Sequence, residues 1–208
     1  MKLNPVERFL MNSPVRAALQ RHIEAADFER LGGKLGGERV LEVGCGRGIG
    51  LEILIERSEA RQVHAFDLDR RMVSDARVRL ARRHPPTRWS LFVGDATAIP
   101  VESAGYDAVI DSGVLHHVVD WRSAIGEVRR VLRPGGRFCF LEVSRQCLDR
   151  RVVRTFLKHP REDRFSAAQF AAELEKHGIG IRDRLVERWR GNLFAGVGVV
   201  AENAAARL

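Results

Sequence analysis

The stretch Val40-Leu41-Glu42-Val43-Gly44-Cys45-Gly46-Arg47-Gly48 constrains this chain more than any other. An apolar run suited to a buried strand passes straight into glycines two apart and then into residues at helical spacing. Backbone free of side chains therefore lies at a strand's carboxyl end, where it can approach a ligand closely. A dinucleotide fingerprint would place its third glycine where this chain has Ile49. It would also face pyrophosphate, which Glu42, two residues before the first glycine, would repel. The carboxylate suits instead a ligand with cationic amino and sulfonium groups. The plain alternative for Glu42 is an exposed carboxylate, or one satisfied by backbone N–H groups.

Around this turn the chain alternates β-branched runs with amphipathic stretches, the pattern of a parallel sheet covered on both faces. Arg39–Val43, Gln62–Phe66, Trp89–Val93, Asp107–Asp111 and Arg137–Val143 read as strands. Ile49–Arg57, Met72–Arg83 and Arg122–Leu132 carry apolar residues three and four apart and read as helices. Upstream, a segment of two helices breaks at Asn12-Ser13-Pro14, with Ser13 as N-cap and Pro14 at the first helical position. Val15, Leu19 and Ile23 form an apolar stripe on the second helix. It either packs on the core or belongs to a lid over the site.

After the fifth strand, residues 144–165 are basic and irregular, and Ser166 caps a helix that Gly178 stops. Ile179–Arg188 and Leu193–Val200 read as two strands joined through Arg190-Gly191-Asn192. So short a connection requires an antiparallel pair. The expected fold is α/β: a Rossmann-like, seven-stranded, mostly parallel sheet with helices on both faces and a C-terminal antiparallel hairpin. One domain spans 1–208, with an N-terminal helical segment (1–38), a ligand-binding core (39–143) and a substrate-side segment with the hairpin (144–208).

Acidic residues recur at strand ends. Asp67, 23 residues beyond Gly44, can accept from both hydroxyls of a ribose, whichever nucleoside ligand is bound. Asp69 is better placed to cap the next helix. Asp95, after the third strand, either accepts from an adenine amine or merely ends the strand in a turn.

Together VLEVGCGRG (40–48), FDLD (66–69), GDA (94–96), YDAVIDSGVLHHV (106–118) and VLRPGG (131–136) resemble the class I S-adenosylmethionine-dependent methyltransferases, in particular the group that includes ubiquinone and menaquinone biosynthesis enzymes. The resemblance covers about residues 39–143 and implies S-adenosylmethionine as cofactor. It implies Glu42, Gly44, Cys45 and Gly46 along the methionine moiety, and Asp67 and Leu68 at the ribose and one adenine face. Asp95 and Ala96 would hold the adenine amine and ring, and Asp111 and Ser112 would pass beside the sulfonium. Where Asp111 stands with Ser112 this group more often shows less acidic residues, which leaves Asp111 to touch cofactor, substrate or neither.

Methyl transfer from a sulfonium is an in-line displacement that needs no metal and rests largely on positioning in a dry pocket. A hydroxyl or carbon nucleophile also needs a base, and His116 and His117 follow the fourth strand where one would act. Their alternative role is to shape the turn before the next helix. His159–Arg164 is a polar, charge-balanced run that binds substrate or forms a salt-bridged loop. The acceptor is expected to be a small molecule, quinol or lipid. A nicotinamide oxidoreductase and a non-catalytic binding module are the competing classes.

Cys45, Cys139 and Cys147 lack CxxC spacing and are read as reduced and non-ligating, with no metal expected. No run of about 18 apolar residues occurs, so a cytoplasmic protein, at most peripheral to a membrane, is expected. The net charge of +8 rests almost wholly on arginine, with four lysines only. Scattered as it is along helical faces, that charge makes a nucleic-acid partner an unfavoured reading.

Overall fold

The computed structural model describes residues 13–150, 160 and 163–202. Helix α1 (Pro14–Leu19) is capped by Ser13, whose side chain accepts from Arg16 N at 3.1 Å. It runs through a π-helical turn (Gln20–Glu24) into α2 (Ala25–Gly32). The expected helix before Asn12 lies outside the described residues. Strand β1 (Arg39–Val43), α3 (Ile49–Glu56), β2 (Gln62–Asp67), α4 (Arg70–Ala81), β3 (Trp89–Val93), β4 (Tyr106–Ser112), α5 (Trp121–Val131) and β5 (Leu132–Val143) follow in strict alternation but for β3 to β4. Beyond them come α6 (Arg145–Leu148), α7 (Ala167–Lys176), β6 (Ile179–Gly180), β7 (Leu185–Arg188) and β8 (Leu193–Val200). Ser166 caps α7, as expected, and Gln169 completes the cap by accepting from the Ser166 backbone N–H.

The sheet order is β3-β2-β1-β4-β5-β8-β6, with β7 also paired to β8. Strands β1 to β5 are parallel, and β8 is antiparallel to β5, β6 and β7. Period-two burial assigns each strand's side chains to opposite faces. Leu41, Val109, Phe138 and Phe140 enter one core with α5 and α7, whereas Val40, Ala108, Ile110 and Cys139 enter the other with α3 and α4.

Two boundaries differ from expectation. The sixth strand is not continuous over 179–188. Arg182 adopts φ +51°, and Arg184 N donates to Ile181 O in a turn, so β6 and β7 pair with opposite ends of β8 and the sheet has eight strands rather than seven. Strand β5 begins at Leu132, five residues before the expected Arg137, because Leu132 already pairs with Tyr106 before a register shift; Gly135, at φ +75°, turns the chain there.

The apolar stripe also differs. Val15 and Ile23 are exposed, at 69% and 43%, and the helix turns its polar residues Arg16, Gln20 and Glu24 inward. Among the described residues no helix is long and apolar enough to cross a membrane.

Candidate functional site

Parallel strands point their carboxyl ends at one edge, and there a cleft of about 450 Å³ opens. Its floor is the turn after β1. Gly44 adopts φ +69° and a Cβ on it would meet Val114 Cγ2 at 2.5 Å, so only glycine fits. Gly46, at φ +48°, has nothing within 4 Å of where its Cβ would be, and so leaves open space.

Glu42 is 2% exposed and its Oε2 has no hydrogen-bond partner among the described residues, so it is neither the exposed nor the N–H-satisfied carboxylate of the plain reading. Burial, then the charges of Asp67 and Glu24, push its carboxyl well above the usual range, while Arg16 opposes this. Gly50 makes room for it: a Cβ there would lie 1.7 Å from Glu42 Oε1. Asp67 Oδ2 accepts from Gly46 N at 3.0 Å and Oδ1 from Asp69 N at 2.8 Å. These bonds fix the carboxylate against the turn and leave each oxygen a further lone pair. Asp69 caps α4 through Arg71 N, as expected. At the far end Asp95 Oδ1 accepts from Thr97 N and Oγ1, and Ala96 is buried beside it.

Of the residues singled out from sequence, Glu42, Gly44, Cys45, Gly46, Asp67, Leu68, Asp95, Ala96, Ser112 and His117 all line the cleft. Asp111 and His116 do not. Asp111 is fully buried, with Oδ1 accepting from Val114 N at 2.9 Å, and burial plus the adjacent Glu142 hold its carboxyl well above the usual range. His116 meets Glu142 Oε2 through Nδ1 at 2.5 Å and packs at a tilt against His117, ring centres 4.2 Å apart.

Glu142, which sequence reasoning passed over, accepts from Leu115 N at 2.7 Å and His116 N at 3.3 Å and so ties down the turn that carries both histidines. Burial lifts its carboxyl to about 7 against these hydrogen bonds. Arg16 and Glu24 were missed as well: they pair with each other, and Arg16 also donates to Ser112 O at 3.1 Å. Of the charge-balanced run, His159, Arg161 and Glu162 lie outside the described residues. Arg122 pairs with Asp163, and Arg164 with Asp149. Cys45 and Cys139 are buried thiols, Cys139 pushed up to about 12, and Cys147 is half-buried.

Residues 40–136 match the methyltransferase domain family. Over 181 residues the chain is 30% identical to a probable S-adenosylmethionine-dependent methyltransferase of Mycolicibacterium smegmatis, covering 85% of this chain and 63% of that protein. Over residues 40–136 the chain is thus similar to methyltransferase domains, and over 181 residues to an S-adenosylmethionine-dependent one.

A phthiotriol/phenolphthiotriol dimycocerosates methyltransferase of Mycobacterium tuberculosis is 33% identical over 110 residues, 52% of this chain and 39% of that one. The chain thus spans less than two thirds of the length of these curated relatives. The structure of an S-adenosylmethionine-dependent methyltransferase from Aquifex aeolicus superposes with a TM-score of 0.75 at 21% identity, covering 96% of this chain and all of that one, a likeness of fold. S-adenosylmethionine is the cofactor for which the Mycolicibacterium smegmatis and Aquifex aeolicus proteins are named. The site fits it on two features of this chain: the buried, unpartnered oxygen of Glu42 offers an acceptor to a cation, and Asp67 offers its spare lone pairs to hydroxyls.

Proposed function

We propose that this chain transfers the methyl group of S-adenosylmethionine to a small-molecule, quinol or lipid acceptor. Glu42, Gly44, Cys45 and Gly46 hold the methionine end, Asp67 and Leu68 the ribose and one face of adenine, and Asp95 and Ala96 the adenine edge. The observation that carries this reading is the buried, unpartnered Glu42 carboxyl set against positive-φ glycines in a cleft large enough for a nucleoside. When bound, the cofactor supplies an electrophilic methyl on a sulfonium.

The chain's own part is to orient the acceptor and exclude water. Ser112, at the end of β4, and His117, on the turn after it, face the cleft. His117 is the group placed to take a proton from a hydroxyl or carbon acceptor; His116, held by Glu142, positions it. Asp111 keeps the turn after β4 in place through Val114 rather than touching the cofactor. An apolar acceptor is supported by the mycobacterial relative named for phthiotriol dimycocerosates.

The test is methyl-labelled S-adenosylmethionine incubated with the full chain and separate lipid and aqueous cell extracts. Label is expected in a product of the lipid fraction. Cofactor binding with no labelled product in either fraction contradicts methyl transfer.

A further inference from the structure

We infer that the carboxyl edge of the sheet, around the β7–β8 turn and the outer face of α1, is a docking surface for an anionic lipid bilayer. Seven large hydrophobic side chains are exposed among the described residues, and five of them, Val15, Leu68, Val93, Val119 and Trp189, lie at this edge. Leu68 and Val119 line the cofactor cleft and need no other account. Val93 is the last residue of β3. Val15 neighbours Arg16, and Arg16 reaches Ser112 O at the end of β4, which places the start of the helix at the same edge; Ile23, beside Arg21 and the C-terminal end of α3, lies away from it. Trp189 is 62% exposed in the turn after β7, which pairs Arg188 with Leu193 and, through β8, with Val143 at the carboxyl end of β5.

The turn that shows Trp189 to solvent is held, not loose. Trp189 and Arg190 both adopt left-handed backbone, at φ +50° and +58°, a conformation that side chains larger than Asn rarely take. Asn192 fixes it by donating its side-chain N–H to Trp189 O at 2.7 Å, and Ser144 Oγ donates to Gly191 O at 2.6 Å. Arg188 anchors the stem by donating to Asp27 Oδ1 of α2 at 2.5 Å.

Arg190 and Arg145 are exposed beside the turn; Asp149, shared by Arg145 at 3.9 Å and Arg164, and Glu187 are the acidic neighbours, and Arg150 is a further exposed cation. An indole flanked by guanidinium groups suits the boundary between headgroups and acyl chains: the ring sits at headgroup level and the cations meet anionic phosphates. Singly scattered apolar residues would be ordinary. Their concentration on the one edge where an acceptor must enter is not. An acceptor dissolved in the bilayer would then reach the cleft without crossing water. That purpose rests on the proposed methyl transfer, but the docking itself is read without turnover.

The experiment floats the full chain with vesicles of phosphatidylcholine alone and of equal phosphatidylcholine and phosphatidylglycerol, with S-adenosylhomocysteine affinity and melting as controls. Binding to the mixed vesicles only is expected, with a blue shift and protection from acrylamide quenching of the exposed Trp189; Trp121 is buried and Trp89 half-buried. Trp189→Ala with Arg190→Glu should weaken binding about tenfold or more while leaving S-adenosylhomocysteine affinity unchanged. Three results overturn the inference: no binding of the parent to mixed vesicles, binding that survives the double substitution, or a dimer by light scattering that the double substitution dissolves. If the double variant melts early, quenching protection in the unaltered chain decides alone, and its absence refutes docking.

Discussion

Replacing Gly50 with alanine should strengthen the helix and cripple the site. Gly50 lies in the first turn of α3, where alanine is favoured by about 0.5–1 kcal/mol on propensity. Yet the new Cβ would sit 1.7 Å from Glu42 Oε1, 2.7 Å from its Cδ and 3.0 Å from Gln20 Nε2. Such contacts cannot persist, so the buried Glu42 must swing away from its position beside the glycine turn. If its carboxylate meets the cationic end of the cofactor, the lost interaction is of the charged hydrogen-bond kind, about 1.5–3 kcal/mol, or roughly ten- to hundredfold in affinity. Calorimetric titration with S-adenosylhomocysteine measures it, and a cycle with Glu42→Ala isolates its origin: alanine at 50 should cost little once the glutamate is gone. A Gly50→Ala protein that binds as the parent does would refute this packing of Glu42.

Asp67→Ala should weaken cofactor binding by about 1.5–3 kcal/mol, measured by the same titration, with little loss of fold. Because burial and mutual repulsion raise Glu42, and burial raises Glu24 and Asp67, a cationic ligand lowers all three. Binding should then release protons and tighten as pH rises, and titrations in buffers of different ionisation enthalpy would expose proton uptake if the sign is wrong. Glu142, raised to about 7, keeps a proton in the native state that the unfolded chain gives up near 4.5. Its contribution to stability therefore falls as pH climbs between those values, by up to about 1.4 kcal/mol per unit, and Glu142→Gln should remove that slope from thermal melts. Once an acceptor is known, His117→Ala should cost about 10² to 10⁴ in turnover, and with it the rise of rate with pH, if the acceptor needs a base; His116→Ala should act mainly on the fold of the turn.

The cofactor side of the cleft was legible because its chemistry depends on backbone shape. Glycines after a buried strand, and acids at successive strand ends, read directly from the sequence, and Glu42, Gly44, Gly46, Asp67 and Asp95 do line the cleft, as do Cys45, Leu68, Ala96 and Ser112, which the resemblance implied, and His117. Buried partners were not legible. Glu142 and Glu24 look like solvated carboxylates in a string; only the crossing of β5 behind the β4 turn, and of the N-terminal helix over Ser112, makes them structural. Asp111 and His116 were adjacent in sequence to residues that face the cleft, but side chains alternate along a strand, and the short helical turn at residues 115–117 sends His116 inward. The stripe Val15-Leu19-Ile23 has the spacing of a core face. It fails because Arg16, Gln20 and Glu24 have the same spacing and face inward: Arg16 pairs with Glu24 and donates to Ser112 O, and Gln20 lines the cleft, which turns Val15 and Ile23 outward.

Titration of the purified chain with S-adenosylmethionine, S-adenosylhomocysteine, NAD and NADP tests the central claim most directly. The cleft as built predicts one S-adenosyl ligand per chain, weakened by Asp67→Ala and by Gly44→Val, whose Cβ would strike Val114, and no heat from either dinucleotide. Tight NAD binding with silent S-adenosylmethionine titrations would contradict it.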